Sequence, residues 1–294
     1  MNPWPSKPAL ALMFGAATWG IIWYPFRLLA QAGIDGVWST LITYGLGLAF
    51  AVIAFPRIAA SLLRAPPLAY VMALTIGWSN LAYVLGVLQG EVMRVLLLFY
   101  LAPLWTVPLA RLILHERLDA RGLAVMAIAF AGAMIMLWHP AIGVPWPASR
   151  AEWLGVGAGF CFALGNVLVR KLDQMDDVSK SIAILAGVTV IAMIHVPLSS
   201  MDGAQALSAA RTQLPVVLGI GVALIGMGLS LQYGLSRLPA NRAIVILLFE
   251  LVVAAVAAYL LAGEVMRPQD WLGGALIVVA TVLPARDSSR GTSP

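Results

Sequence analysis

Residues 240–261 read ANRAIVILLFELVVAAVAAYLL, a stretch whose only charges are Arg242 near one end and Glu250 near the centre. A bilayer's hydrocarbon core is about 30 Å thick and a helix rises about 1.5 Å per residue, so about 20 apolar residues span it. This stretch meets that length and is apolar on every side, which a half-exposed helix of a water-soluble domain is not. It reads as a transmembrane helix. Glu250 then lies about ten residues, or about 15 Å, from either surface. An ionised side chain at that depth costs at least about 2.5–3.5 kcal/mol, so it must face a cavity, find a partner or carry a proton.

The same reading extends outward along the chain. Apolar runs divided by short polar breaks give ten spans, at 8–31, 37–55, 68–88, 92–114, 122–138, 153–172, 179–197, 214–235, 240–261 and 271–283. The breaks hold Gly, Pro and charges, such as Arg64-Ala65-Pro66-Pro67 and Asp173-Gln174-Met175-Asp176-Asp177, which lipid does not accommodate. None is long enough for a water-soluble domain. Overall 61% of the 294 residues are hydrophobic and 11% charged, against about 45–50% and about 25% in soluble proteins, an excess no soluble core absorbs. Lys7 ahead of an apolar run, with Ala30-Gln31-Ala32 after it, imitates a secretory signal. The run exceeds the usual h-region of about 7–15 residues and carries Pro25 and Arg27, so it is expected to stay as the first span.

The net charge of +5 comes from Lys and Arg scattered singly, with no basic stripe for nucleic acid. Basic residues in short loops are retained in the cytoplasm. With the amino terminus inside, thirteen Lys and Arg fall on the cytoplasmic side and only Arg94, Arg150, Arg211 and Arg267 outside, with Arg27 within the first span. Both termini are therefore expected in the cytoplasm, across a bacterial-type inner membrane. The lone Cys161 excludes a disulfide framework and a cysteine zinc site. His115, His139 and His195 share no ligand spacing, and no phosphate loop or nucleophile elbow occurs. No metal, no cofactor and no enzymatic constellation is expected.

The chain also matches itself. His115-Glu116-Arg117-Leu118 follows the fourth span as Gly263-Glu264-Val265-Met266 follows the ninth, and Glu91-Val92-Met93-Arg94 opens the fourth as Ala240-Asn241-Arg242 opens the ninth. Thr18-Trp19-Gly20 in the first span stands in the place of Ala163-Leu164-Gly165 in the sixth. These offsets divide the chain into five-span units at 1–145 and 146–294. Because five is odd, the second copy enters from the opposite side, giving two inverted five-helix repeats, an arrangement of secondary transporters with a midplane site between the halves.

Trp19-Gly20, Pro103 in the fourth span, the His115-Glu116-Arg117-Leu118 end signal and the stretch 166–171 in the sixth resemble the drug/metabolite transporter superfamily of the EamA type, over essentially the whole chain. Within it, the similarity is greatest to bacterial exporters of aromatic and other neutral amino acids. The resemblance implies an all-α integral membrane protein that exports amino acids by alternating access, with the third, fourth, eighth and ninth helices around the cavity. One departure stands out: family members commonly have a proline in the ninth span opposite Pro103, where this chain has Phe249-Glu250-Leu251. A matching bend in the ninth span is therefore left open.

Glu250 leads the candidate site residues, as a contact for a substrate ammonium group or a transported proton, or else as a structural carboxyl bonded to a neighbouring helix. Trp19, Trp23 and Arg27 recur every four residues and share a face, suited to an aromatic ring and a carboxylate, although an arginine so near the span end also reaches the interface by snorkelling. Trp78, Tyr83 and Tyr100 are read as cavity lining, with Asn166, Gln232 and Tyr233 as mid-span polar groups that need a partner or a wet cavity. Pro103 removes a backbone donor and is read as a gating bend. Two rival functions share the same features: efflux of cationic drugs, with Glu250 and aromatic faces as a cation site, and a membrane-embedded lipid-handling enzyme, which would need clustered polar groups at an interface.

Overall fold

The computed structural model describes residues 6–90, 92–116, 118–138, 146–262 and 266–282. Trp4, Glu91, Arg117, His139, Gly263, Glu264, Val265, Arg286 and Arg290 of the sequence reading lie outside the described residues. Among the described residues there is no strand.

The helices are α1 (Lys7–Gln31), α2 (Gly36–Ala54), α3 (Pro56–Ser61), α4 (Pro67–Gln89), α5 (Val92–Phe99), α6 (Ala102–Leu109), α7 (Ala120–Leu137), α8 (Arg150–Lys171), α9 (Asp177–His195), α10 (Gly203–Thr212), α11 (Leu214–Arg237), α12 (Ala240–Leu247), α13 (Phe249–Ala262) and α14 (Pro268–Val282). Their starts are written in the polar breaks. Asp35, Asp119, Ser149, Asp176 and Asp202 each cap a helix by accepting from a backbone N–H three residues on, which satisfies a donor that the helix itself leaves free. Proline opens α3 and α4, where its missing donor is harmless. α3 and α10 fall in stretches expected as polar breaks; both are short and lie between spans.

Nine helical segments among the described residues are long and apolar enough to cross a membrane. α14, the site of the expected tenth span, has 15 described residues. Large side chains face outward along the helices, with Ile53 79% exposed, Val222 72% and Leu260 69%. Water would not sustain such a surface, and lipid does.

Two of the nine crossing segments are broken at mid-depth. The fourth is divided at Tyr100 and Leu101, between α5 and α6, and the ninth at Leu248, between α12 and α13. Pro103 sits in the first turn of α6, so the expected bend falls where a new helix begins. The ninth span breaks without any proline: Leu248 N reaches Ile244 O at 3.3 Å, and Leu251 N bonds Leu248 O at 3.1 Å in a tightened turn. The missing proline therefore does not remove the matching break. Farther on, Pro108 inside α6 deprives the ladder of a donor, and a π-helical turn, Ala110–Leu114, follows.

The bundle is interleaved. α1 packs on α11 and α13, α4 on α8 and α9, α2 on α9, and α7 on α14. Close crossings depend on residues without a side chain: a Cβ on Gly187 would lie 2.1 Å from Ala73 O, and one on Gly132 would lie 2.6 Å from Gly273 O. At the face where α1 begins, Glu116 meets Arg170 at 3.5 Å and accepts from Ala240 N at 2.8 Å, and Arg237 meets Asp177 at 2.6 Å. Lys180, an orientation charge in the sequence, is fully buried there with Nζ donating to Ser236 Oγ at 2.7 Å. At the opposite face Trp38 Nε1 donates to Met201 O at 2.9 Å and Ser199 bonds Asp35, joining the loop after α1 to the segment after α9.

Gly187→Leu should overpack the α4–α9 crossing and cost about 1–3 kcal/mol. Its melting temperature in detergent is expected to fall clearly below wild type, whereas Gly219→Ala, which faces open space, should melt at or slightly above wild type.

Candidate functional site

Helix periodicity assembles a cavity inside the bundle. Ile76, Ser79, Asn80 and Tyr83 lie three, four and seven residues apart and give α4 one cavity-facing stripe, and Phe162 and Asn166 do the same one turn apart on α8. α1 adds Ala16 and Trp19, α11 adds Gln232, and the two broken spans add Phe99 and Glu250. The space measures about 110 Å³. One water needs about 10–15 Å³ on the same measure, so the cavity holds several waters or a compact solute. It runs from Glu250 toward the face where α1 begins, its far walls being Phe55 at the end of α2, Val178 at the start of α9 and Leu235 near the end of α11.

Glu250 is buried, and the Tyr100 hydroxyl donates to its Oε1. The two residues come from the two helix breaks, so one side-chain hydrogen bond joins the broken fourth and ninth spans. Behind them is a void of about 10 Å³ lined also by Pro103, Phe162 and Leu248. The carboxyl thus stands between the main cavity and this small space. Phe99 anchors the aromatic wall, with ring centroids 5.1 Å from Tyr83, 5.2 Å from Tyr100 and 5.4 Å from Phe162.

The Trp19-Gly20 pair has a double task. A Cβ on Gly20 would lie 2.6 Å from Glu250 O, so the glycine seats α1 directly on the backbone of α13. That seating carries Trp19 into the cavity wall beside Glu250. Other polar groups on the wall differ in how well they are satisfied. Asn80 Oδ1 accepts from Tyr44 Oη at 3.0 Å and Ser79 donates to Ala158 O at 2.9 Å. Among the described residues Asn166 Nδ2 and Gln232 Oε1 have no hydrogen-bond partner, although the two residues are only 8% and 4% exposed.

Of the residues singled out in the sequence, Trp19, Tyr83, Asn166, Gln232 and Glu250 line the cavity. Tyr100 and Pro103 line the small void behind it. Three others lie away from both spaces. Trp78 points off the α4 stripe and its ring lies 5.4 Å from His195, because position 78 is two residues, about half a turn, from both 76 and 80. Trp23 shares the Trp19 face one turn farther along α1 but is not among the lining residues, and lies edge-on to Tyr24 at 5.7 Å. Tyr233 neighbours Gln232 in sequence and so points about 100° away from it, lying under the Arg237 guanidinium at 3.9 Å. Arg27 is exposed, outside the cavity. The sequence reading missed Tyr44, Phe99 and Phe162; their only signal was aromatic character in otherwise aliphatic spans.

With this geometry in hand, the chain can be compared with known proteins. The EamA-like transporter family model matches twice, over residues 6–138 and 149–285. The chain therefore belongs to the EamA-like transporter family, within the drug/metabolite transporter superfamily. It is a multi-pass membrane transporter. An uncharacterized transporter of Archaeoglobus fulgidus is 23% identical over 213 residues, covering 70% of this chain and 72% of that protein. A crystal structure superposes with a TM-score of 0.73 at 16% identity, over 94% of this chain and 96% of that one, and shows that the fold is shared.

Tyr100→Phe removes the hydroxyl that Glu250 accepts from and should cost about 1–3 kcal/mol, the usual penalty for an orphaned buried polar group. In a double-mutant cycle with Glu250→Gln, read by melting in detergent, the two changes are expected to be strongly non-additive; additive losses would mean that the pair is not coupled.

Proposed function

We propose that this protein is a secondary exporter of small organic amines with aromatic or apolar bodies, working across a bacterial inner membrane by alternating access between two inverted five-helix halves. Aromatic and other neutral amino acids are the members of that class to which the family resemblance leads. Efflux of lipophilic cations is the second reading, favoured by the aromatic wall.

The observation that carries the proposal is Glu250: a carboxyl at mid-depth that lines the cavity, at the meeting of two broken spans. Transporters of inverted-repeat architecture build their midplane sites from discontinuous helices of this kind. The carboxyl suits an ammonium group or a transported proton, and Tyr83, Phe99 and Phe162 suit the body attached to it.

Packing supports the two halves. Exchange α1 with α8, α2 with α9, α4 with α11, α5 and α6 with α12 and α13, and α7 with α14. The packing of α1 on α11 then becomes that of α8 on α4, and α1 on α13 becomes α8 on α6. The α2–α9 and α7–α14 pairs map onto themselves. The double match of one family model is consistent with the same division near residue 145. On this reading α14 and the residues after it complete a tenth span. The excess of Lys and Arg on loops at the α1 face favours the cytoplasm for that face, toward which the cavity extends, and for both termini.

In proteoliposomes, wild type should move radiolabelled phenylalanine or a lipophilic amine, while Glu250→Gln should lower the rate at least about tenfold, the loss of about 1.4 kcal/mol of a substrate contact. Equal rates across a range of pH would sink the role of Glu250. In a Cys161→Ser background, cysteine at Phe55 should react with a thiol reagent added on the cytoplasmic side and cysteine at Arg27 with one added outside; the reverse pattern would overturn the orientation.

A further inference from the structure

The chain between the second and third spans is built as a surface. α3 is prolonged by a 3-10 turn, Leu62–Arg64, so Arg57 and Arg64, seven residues or about two turns apart, share one face. Both are exposed. Among the described residues neither guanidinium has a hydrogen bond or ion pair. No Asp or Glu occurs between residues 36 and 90, so α2 and α4 supply no counter-charge. The acids at the start of α9, on which α3 packs, are engaged elsewhere, Asp176 with Ser179 and Asp177 with Arg237.

The opposite face of this segment is fixed. Ile58 and Leu62 pack against the bundle, and Tyr70 Oη in the first turn of α4 donates to Leu62 O at 2.7 Å. Leu63, beside Arg64, is 83% exposed, more than any other large hydrophobic side chain among the described residues. Ile53, three residues before α3, belongs to the outward apolar surface of α2, so α3 begins at the edge of the bilayer. A basic face without an acid, with a leucine projecting beside it, suits a lipid surface: headgroups take the guanidinium groups and the acyl boundary takes the leucine. The fold alone does not demand such a face. Under the exchange of halves given above, α10 holds the corresponding place after α9, and there the cap Asp202 balances Arg211.

We propose that this face is a docking site for an anionic phospholipid of the adjoining leaflet. Arg57 and Arg64 pair with the headgroup phosphate, and Leu63 enters the acyl boundary. The site bears on the cavity as well, because Phe55, the residue at which the chain turns from α2 into α3, is one of the cavity's walls at this face. A lipid held by α3 therefore holds the α2–α3 corner in place at the cavity's end. That second effect rests on the transport reading above; the docking itself requires only that the bundle sit in a membrane.

Native mass spectrometry of the full chain in mild detergent, with phosphatidylglycerol or phosphatidylcholine added, tests the docking. Wild type is expected to retain phosphatidylglycerol at least about fivefold over phosphatidylcholine, and the double variant Arg57→Gln/Arg64→Gln to retain the two equally. Arg111→Gln/Arg121→Gln, which removes the same charge from two other exposed arginines, should keep the preference. No preference in wild type, or equal loss in both double variants, overturns the site, as does displacement of the lipid by millimolar inorganic phosphate. For the effect on the cavity, Phe55→Cys in a Cys161→Ser background should react with a thiol reagent at least about threefold faster in vesicles containing phosphatidylglycerol than in pure phosphatidylcholine, and at one rate in both once Arg57 and Arg64 are replaced; an unchanged rate with the arginines present overturns the hold on Phe55. Selective lipid binding by a protein that moves no solute in proteoliposomes would overturn the transport reading and leave the docking site standing.

Discussion

The hydrocarbon of a bilayer supplies no hydrogen bonds, and a backbone that leaves the helical ladder there must find its partners in the protein itself. This constraint organises the bundle. Regular helices present aliphatic side chains to lipid, while the two interruptions, at Tyr100 to Leu101 and at Leu248, are enclosed at the centre. Breaks so enclosed are free to do something that an unbroken helix cannot: they turn short segments of two spans toward one another at mid-depth. Tyr100 and Glu250 meet there. The cavity is the space that remains beside their contact.

Much of this was legible in the sequence because lipid imposes a coarse code. Apolar run lengths gave the spans to within a few residues, with 214–235 expected against α11 at Leu214–Arg237 and 68–88 against α4 at Pro67–Gln89. The break in the ninth span was not legible, because no proline marks it, and neither was the seating of α1 against α13 beside it, a contact between residues about 230 apart in sequence. Small helices between spans, such as α10, were invisible for a different reason: at ten residues their pattern is too short to stand out from a polar loop.

The candidate site was harder, because depth in the membrane can be read from a sequence but rotation about a helix axis cannot when every face is apolar. Glu250 and Asn166 were found because a polar group at mid-depth is itself a signal. Among the aromatics no such signal separates Tyr83, on the cavity wall, from Trp78, which stacks near His195. Phase settles it, and phase became visible only once Ser79 and Asn80 were seen to share one stripe with Tyr83. Gln232 and Tyr233 make the same point from adjacent positions on α11, one facing the cavity and the other a guanidinium.

The seating of Gly20 on the backbone of Glu250 bears on motion. Where two helices touch through side chains, rotamers can yield and the helices slide past one another. α1 and α13 meet here through Gly20 and the α13 backbone, with only the fixed Cβ of Val253 alongside, so no rotamer can yield. The indole beside Gly20 and the acid on α13 are therefore held at one fixed separation, and the contact is a joint between the two halves of the chain rather than a sliding surface.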